Sequence, residues 1–450
     1  MIIIRLIIIL FVCVPAIQSG AQIITTIAGS GTLFGGGYGA FSGDGGLATD
    51  AQFFSPISVV VDNSGNIYIA DEFNYRIRKI NTHDTITTIA GTGIYGYGGD
   101  DSIATLAKFC DLSYIKIASD GNLYVPDVCN NRIRKINLAT DIISTYAGDG
   151  TTFCNDNDMA TSASINYPFG VTFDNFNNFY LSDACDFVDK INLAGIMSRV
   201  AGSDSVDGYG GDGGQATNAR FNHPVDIAFD NENNLYIVDA GNAEIRKVNT
   251  SGIITNYAGT PGVFGYFGDN GLATLAQLNY PEGIAIDGAN NVFFSDCSNM
   301  VVRRIDNSTN IITTIAGNGI GGFSGDGGMA TNAKLLSPAG LSFDTMGNLY
   351  IADWNNNRIR KVTNAGVPLK QSEVGRAESG VKIYPNPAKN FINISSSQII
   401  NRISISNIFG QCVYELYLND DKAVVDVGDL PKGVYFVRLN GLMTRKFMKE

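Results

Sequence analysis

Short apolar runs, not helical stripes, set the rhythm of this chain. Runs of Ile, Val, Tyr and Thr recur along its length, and no long stretch places apolar residues at the 3.6 spacing of a buried helix face. The string Ile-Ile-Thr-Thr-Ile-Ala-Gly, or a close variant, ends at Gly29, Gly91, Gly148, Gly202, Gly259 and Gly317, a period of about 57 residues. Each copy continues with a loop rich in glycine and aromatics, ending on Asp44, Asp100, Asp156, Asp212, Asp269 or Asp326. A stretch such as Ala48-Thr49-Asp50-Ala51 follows, long enough for one helical turn. Next come a Pro-led run (Pro56 to Asp62 in the first copy), a turn, Ile67 to Asp71, a second turn and Asn74 to Ile80. The following Ile-Thr-Thr-Ile-Ala run supplies a fourth strand. Four short antiparallel strands joined by tight turns make one twisted sheet, the unit of a propeller blade. The pattern therefore predicts an all-β chain with a six-bladed β-propeller over residues 22–366.

The ends of the array sharpen this. The sixth copy stops after Arg358-Ile-Arg-Lys-Val362, while a spare fourth strand, Ile23–Ala28, precedes the first copy. Strands balance if Ile23–Ala28 joins the last blade, which closes the ring and removes two exposed edges. Beyond a polar stretch at 367–380, read as a linker, residues 381–450 carry about seven short alternating strands. These predict a small immunoglobulin-like β-sandwich.

Composition narrows the classes. With 52 glycines and 16% charged residues, the chain is too apolar for disorder and too punctuated for a helical protein. Residues 1–21 read as a signal peptide, a short cationic start, an apolar run and Ser19-Gly20-Ala21 at the cleavage point. That run is shorter than the roughly 20 residues needed to span a bilayer, so no integral membrane span is expected. A formal charge of −12 without a Lys/Arg cluster argues against nucleic acid as a partner. Export permits disulfides, and Cys110, Cys129, Cys154 and Cys185 fall in loops of one face and one sector. Three pairings of those four are possible.

Candidate chemistry is sparse. The two histidines, His83 and His223, cannot build a multi-His metal site, and no catalytic residues are assigned. The loop aspartates and those ending the second strands (Asp71, Asp127, Asp183, Asp239, Asp296, Asp353) recur in all six copies, as blade-maintaining residues do. Asp44 and its equivalents are expected to accept backbone N–H groups at the helical turn, and Asp71 to hold the next turn with Asn74 and Arg76. No cofactor is expected; the one metal reading is calcium at Asp156 and Asp158, in a run of hard oxygen ligands without EF-hand spacing. Three residues before each loop aspartate stands an aromatic: Phe41, Tyr97, Phe153, Tyr209, Tyr266 and Phe323. With Trp354, the sole tryptophan, they define a candidate binding rim on one face, set against the plainer reading that each ring packs on its own neighbourhood.

The run Gly-Asp-Gly-Gly-x-Ala-Thr…Pro-x-Gly-x-x-x-Asp…Asn-x-Tyr-Ile-Ala-Asp-x-x-Asn-x-Arg-Ile-Arg-Lys, cleanest at Gly325–Val362, resembles bacterial NHL-repeat proteins. The third copy departs from it at Asp183–Lys190, and the second replaces Pro-x-Gly with Leu112-Ser113-Tyr114. The resemblance implies a scaffold used mostly for binding and less often for lyase or hydrolase chemistry. Tyr384-Pro-Asn-Pro387, Leu430-Pro-Lys-Gly-Val-Tyr-Phe-Val437 and the basic ending resemble the type A sorting domain of type IX secretion. This implies contact with that machinery through 381–450 and delivery across a Bacteroidota-type outer membrane. The expectation is a secreted or surface-displayed binding protein for a polysaccharide or protein ligand. The rivals are a propeller lyase or glycan-acting hydrolase with its site at the channel mouth, and a structural surface component.

Overall fold

The computed structural model describes residues 22–31, 40–154, 159–203, 207–366, 382–407, 412–439 and 443–450. The signal-peptide, linker and calcium (Asp156, Asp158) expectations fall outside them. Residues up to Lys370 and those from Gln371 onward form two compact units.

The first unit is a ring of six antiparallel sheets. Blade 1 runs Pro56–Val61, Ile67–Asp71, Arg76–Ile80 and Ile86–Ala90, from the axis outward. The second strand is buried along its whole length, because neighbouring blades cover both its faces, and so it reads as a continuous apolar run. The outer strand alternates only in part, with Thr87 exposed. Blade 2 adds a short edge strand, Ser102–Ile103, outside its fourth.

The ring closes through its N-terminus. Ile24–Ala28 pairs with Arg358–Val362, matching Ile24 with Val362, Thr25 with Lys361, Thr26 with Arg360 and, after a bulge, Ala28 with Ile359. The blade 1 pair has the same register and bulge: Ile86 with Ile80, Thr87 with Lys79, Thr88 with Arg78 and Ala90 with Ile77. The N-terminal strand therefore occupies the fourth-strand position of blade 6. The glycine that ends each such strand is obligatory: Gly29 sits at φ +92°, where a Cβ would strike the carbonyl oxygen of Asn357.

The second unit differs in detail from its expected strands. The sequence reads Phe391–Ser395 and Arg402–Asn407 as separate strands, as it does Cys412–Leu418 and Ala423–Val427. The structure joins the first two in one long strand, Phe391–Ser406, and the second two in another, Cys412–Asp426, each ending one residue short. Their pairing shifts register between Ser395 and Ile400 and again before Arg402, so bulges join runs that read as separate strands. With Lys382–Tyr384, Gly433–Leu439 and Met443–Lys449 they give five strands around Ile392, Ile403, Ile405, Val437 and Phe447.

Candidate functional site

The recurrent acids act through arginine. Arg78 is fully buried and bridges Asp44 (Nη2 to Oδ1, 2.7 Å) and Asp71 (Nη1 to Oδ2, 3.4 Å). Arg134, Arg303 and Arg360 repeat the bridge at 2.6–2.7 Å and 3.1–3.3 Å, and Arg246 at 2.6 and 3.7 Å. Asp71 also accepts the Phe54 N–H (2.8 Å) and the Asn74 amide (2.9 Å). This corrects two expectations. Asp44 makes no cap bond to the Ala48–Asp50 turn, and the partner of Asp71 is Arg78 rather than Arg76. Arg76 instead points outward along the loop, donating to the carbonyls of Asn74 (2.9 Å) and Thr92 (2.8 Å).

Blade 3 lacks the arginine, with Asp189 in its place and Arg199 on the next strand 4.0 Å away. Burial, then Asp189, push Asp183 up to about 8, whereas in blade 1 burial pushes Asp71 only to about 6 against the pull of Arg78.

The arginines also explain the outer aromatics. Arg76, Arg132 and Arg358 lie over Phe41, Tyr97 and Phe323 at 3.8, 4.0 and 3.7 Å, and Arg246 and Arg303 over Tyr209 and Tyr266 at 5.4 and 5.3 Å. Those five rings are 39–50% exposed, but Phe153, in the blade without these arginines, is 70% exposed. The Tyr97, Tyr209 and Tyr266 hydroxyls are tied to Asp100, Asp212 and Asp269 at 2.7, 2.7 and 3.3 Å. The outer circle is thus a set of within-blade stacks, and Trp354 is engaged elsewhere.

Trp354 Nε1 donates to Glu72 Oε2 (2.8 Å), joining blade 6 to blade 1 at the inner end of the loop face. Burial raises Glu72 to about 8, opposed by the Trp354 bond and reinforced by Asp111 and Glu282. Glu282, on the first strand of blade 5, accepts the Tyr114 hydroxyl at 2.5 Å and is raised by burial to about 7. Tyr114 belongs to blade 2, diametrically opposite, so its buried side chain crosses the propeller axis and plugs the channel. Cys297 lies beside Glu282, and burial pushes its thiol up to about 12.

Around this plug runs an inner rim. The residue before each first-strand proline, or before Leu112 in its place in blade 2, adopts positive φ: Ser55, Asp111, Tyr167, His223, Tyr280 and Ser337, at 47–58°. These non-glycine left-handed residues are strained, and neighbouring blades hold them. Asn357 accepts from Ser55 N–H (2.8 Å), Asn131 from Tyr167 (3.0 Å) and Asp186 from His223 (2.9 Å). Tyr167 and Tyr280 are exposed, and the exposed His223 ring stands edge-on to Phe169 at 4.8 Å. The rim is asymmetric, with rings on blades 3 to 5 and acids (Glu72, Asp111) on blades 1 and 2.

Sequence reasoning missed Glu72, Tyr114 and Glu282. The available signal was divergence between copies: Glu72, Val128, Ala184, Ala240, Cys297 and Trp354 share one position, and Ser58, Tyr114, Gly170, Asp226, Gly283 and Gly340 another. The disulfides join Cys110 to Cys129 and Cys154 to Cys185, with Cα separations of 5.4 and 6.3 Å.

Residues 335–362 match the NHL repeat family, 205–265 the teneurin NHL domain family, and 382–450 the secretion system C-terminal sorting domain family. The chain carries NHL repeats and a secretion sorting domain. Chicken teneurin-1 is 26% identical over 73% of the chain, which spans only 13% of that relative. Chicken NHL repeat-containing protein 2 is 27% identical over 68% of the chain and 46% of its own length. The NHL ring shares its fold with a Bacteroides thetaiotaomicron protein of unknown function (16% identity, 76% of each chain, TM-score 0.57) and with a Bacteroides ovatus auxiliary nutrient binding protein (16% identity, 76% of each, TM-score 0.56). The sorting domain marks export by the type IX route of Bacteroidota to the cell surface or the medium. No helix among the described residues is long and apolar enough to cross a membrane.

Proposed function

We propose that the exported NHL ring is a non-catalytic binding protein that holds a hydroxyl-rich ligand, a glycan, at the inner rim of the loop face. The observation that carries this reading is the meeting of non-repeated polar and aromatic side chains from different blades around a blocked channel: Glu72, Trp354, Tyr114 and Glu282. Repeated residues maintain blades; residues that break the repeat at one spot answer to something else. Flat rings offer faces to the apolar side of a sugar, and carboxyls offer acceptors for its hydroxyls. The Bacteroides nutrient-binding protein that shares the fold lends this reading support of the same kind, at the level of scaffold.

A glycan array probed with the full-length exported protein tests it. Binding is expected, with at least a tenfold loss in Trp354→Ala and in Glu282→Gln. Absence of any glycan signal, or binding indifferent to both substitutions, overturns the ligand assignment. Turnover of any arrayed glycan overturns the non-catalytic role.

A further inference from the structure

A cavity lies on the propeller axis, at the end away from the loop-face rim. Its volume is about 280 Å³, and every blade contributes, through Val60, Lys116, Thr172, Phe229, Ile286 and Phe343 among others. Each of these stands at the turn end of a first strand, which places the cavity on the axis. Tyr114 lies two residues before Lys116 and crosses the channel to Glu282, so the plug separates this cavity from the loop-face rim.

The lining is chemically lopsided. At the position of Val60 the other copies hold Lys116, Thr172, Ala228, Ala285 and Ser342, so one blade introduces a cation into an otherwise apolar and hydroxyl-bearing wall. Burial lowers the Lys116 pKa, and the Asp226 carboxylate opposes that shift. Yet the Asp226 oxygens are occupied by the N–H groups of Ile227 and Ile284, both at 2.9 Å. No ion pair joins Asp226 to Lys116 among the described residues. Asp226 therefore leaves Lys116 without an ion-pair partner in the cavity wall. Lys116 is half-buried, and an ammonium partly withdrawn from water beside apolar groups is stabilised when an anion meets it.

We propose that this axial cavity binds a small carboxylate with an apolar body, its headgroup on Lys116 and its body against Phe229, Ile286 and Phe343. Thr172 and Ser342 bring hydroxyl groups to the same lining. The volume falls just under the ~300 Å³ lower end of small-molecule sites, which restricts the ligand to one ring or a short chain.

Calorimetry on the full-length exported protein, with phenylacetate and its neutral counterpart phenylethanol, decides the matter. Phenylacetate is expected to bind more tightly than phenylethanol. Lys116→Met should weaken phenylacetate at least tenfold and leave phenylethanol unchanged; Lys116→Gln, polar but uncharged, should behave the same way and covers a folding defect in the methionine variant. Ala285→Trp, which fills the cavity, should abolish both. No phenylacetate binding, equal affinity for acid and alcohol, or binding that survives loss of the Lys116 charge each overturns the proposal. Trp354→Ala should leave phenylacetate binding intact, so failure of the glycan reading and failure of this one are separately visible.

Discussion

Arg303 is completely buried between Asp269 and Asp296, at 2.7 and 3.3 Å. Removing one member of such a pair strands the others, so Arg303→Met should lower stability by about 3–5 kcal/mol in urea unfolding. Its neighbour Arg304 pairs with Asp306 at 2.6 Å, but both side chains are about a third exposed. Arg304→Met should therefore change stability by no more than about 1 kcal/mol. A second test concerns Glu72 and Glu282, raised by burial to about 8 and about 7. An acid whose folded pKa exceeds its unfolded value binds more protons in the native state. Stability from it is fully present below the unfolded pKa of ~4.3 and is lost as pH rises through the folded value. Melting temperature should thus fall between about pH 5 and pH 8, and less steeply in Glu72→Gln/Glu282→Gln; equal slopes would refute the assignment. The recurring aspartates were legible as blade-maintaining residues, but not their partner, since Arg76 and Arg78 share one face of their strand and both lie over Phe41, and only the fold shows that Arg78 is the one within reach of Asp71. The Tyr114–Glu282 bond was not legible at all. Its ends are 168 residues apart and meet only because blades 2 and 5 face each other across the axis.

Strands were the most legible scale, because a strand buried on both faces must be apolar throughout, and Ile67–Asp71 and Leu349–Asp353 announce themselves in that way. Ring closure was legible from the count of copies, and the shared register of the two fourth-strand pairs gives the physical reason it works. Deleting Ile23–Ala28 should leave the Arg358–Val362 edge bare, lower the melting temperature and drive self-association through that edge. Size-exclusion chromatography checks this; a monomeric variant with parental melting would show that closure contributes little. The long strands of the second unit were misread because Ser395–Asn401 and Asn419–Lys422 are rich in polar residues that favour turns. Bulges accommodate those residues without ending the ladder.

At the scale of the molecule, the two units bury separate cores. The propeller clusters draw only on residues up to Ala365, and Ile392, Ile403, Val437 and Phe447 belong to a cluster of their own. Separate cores permit separate tasks, and among the described residues those named in the plug, the inner rim and the axial cavity all belong to the ring. Truncation after Gly380 should therefore remove export and leave the ring folded. The truncated chain is expected in the periplasm, and its melting transition should match that of the ring in the full-length protein. Cell fractionation followed by calorimetry reads both outcomes. If the truncated protein still reached the surface, residues 382–450 would not be the export determinant. If it were exported poorly and also unfolded, the ring would depend on the sandwich for stability, and the independence of the two cores would be wrong. A folded ring trapped inside the outer membrane is the one result that both the core arrangement and the sorting role require.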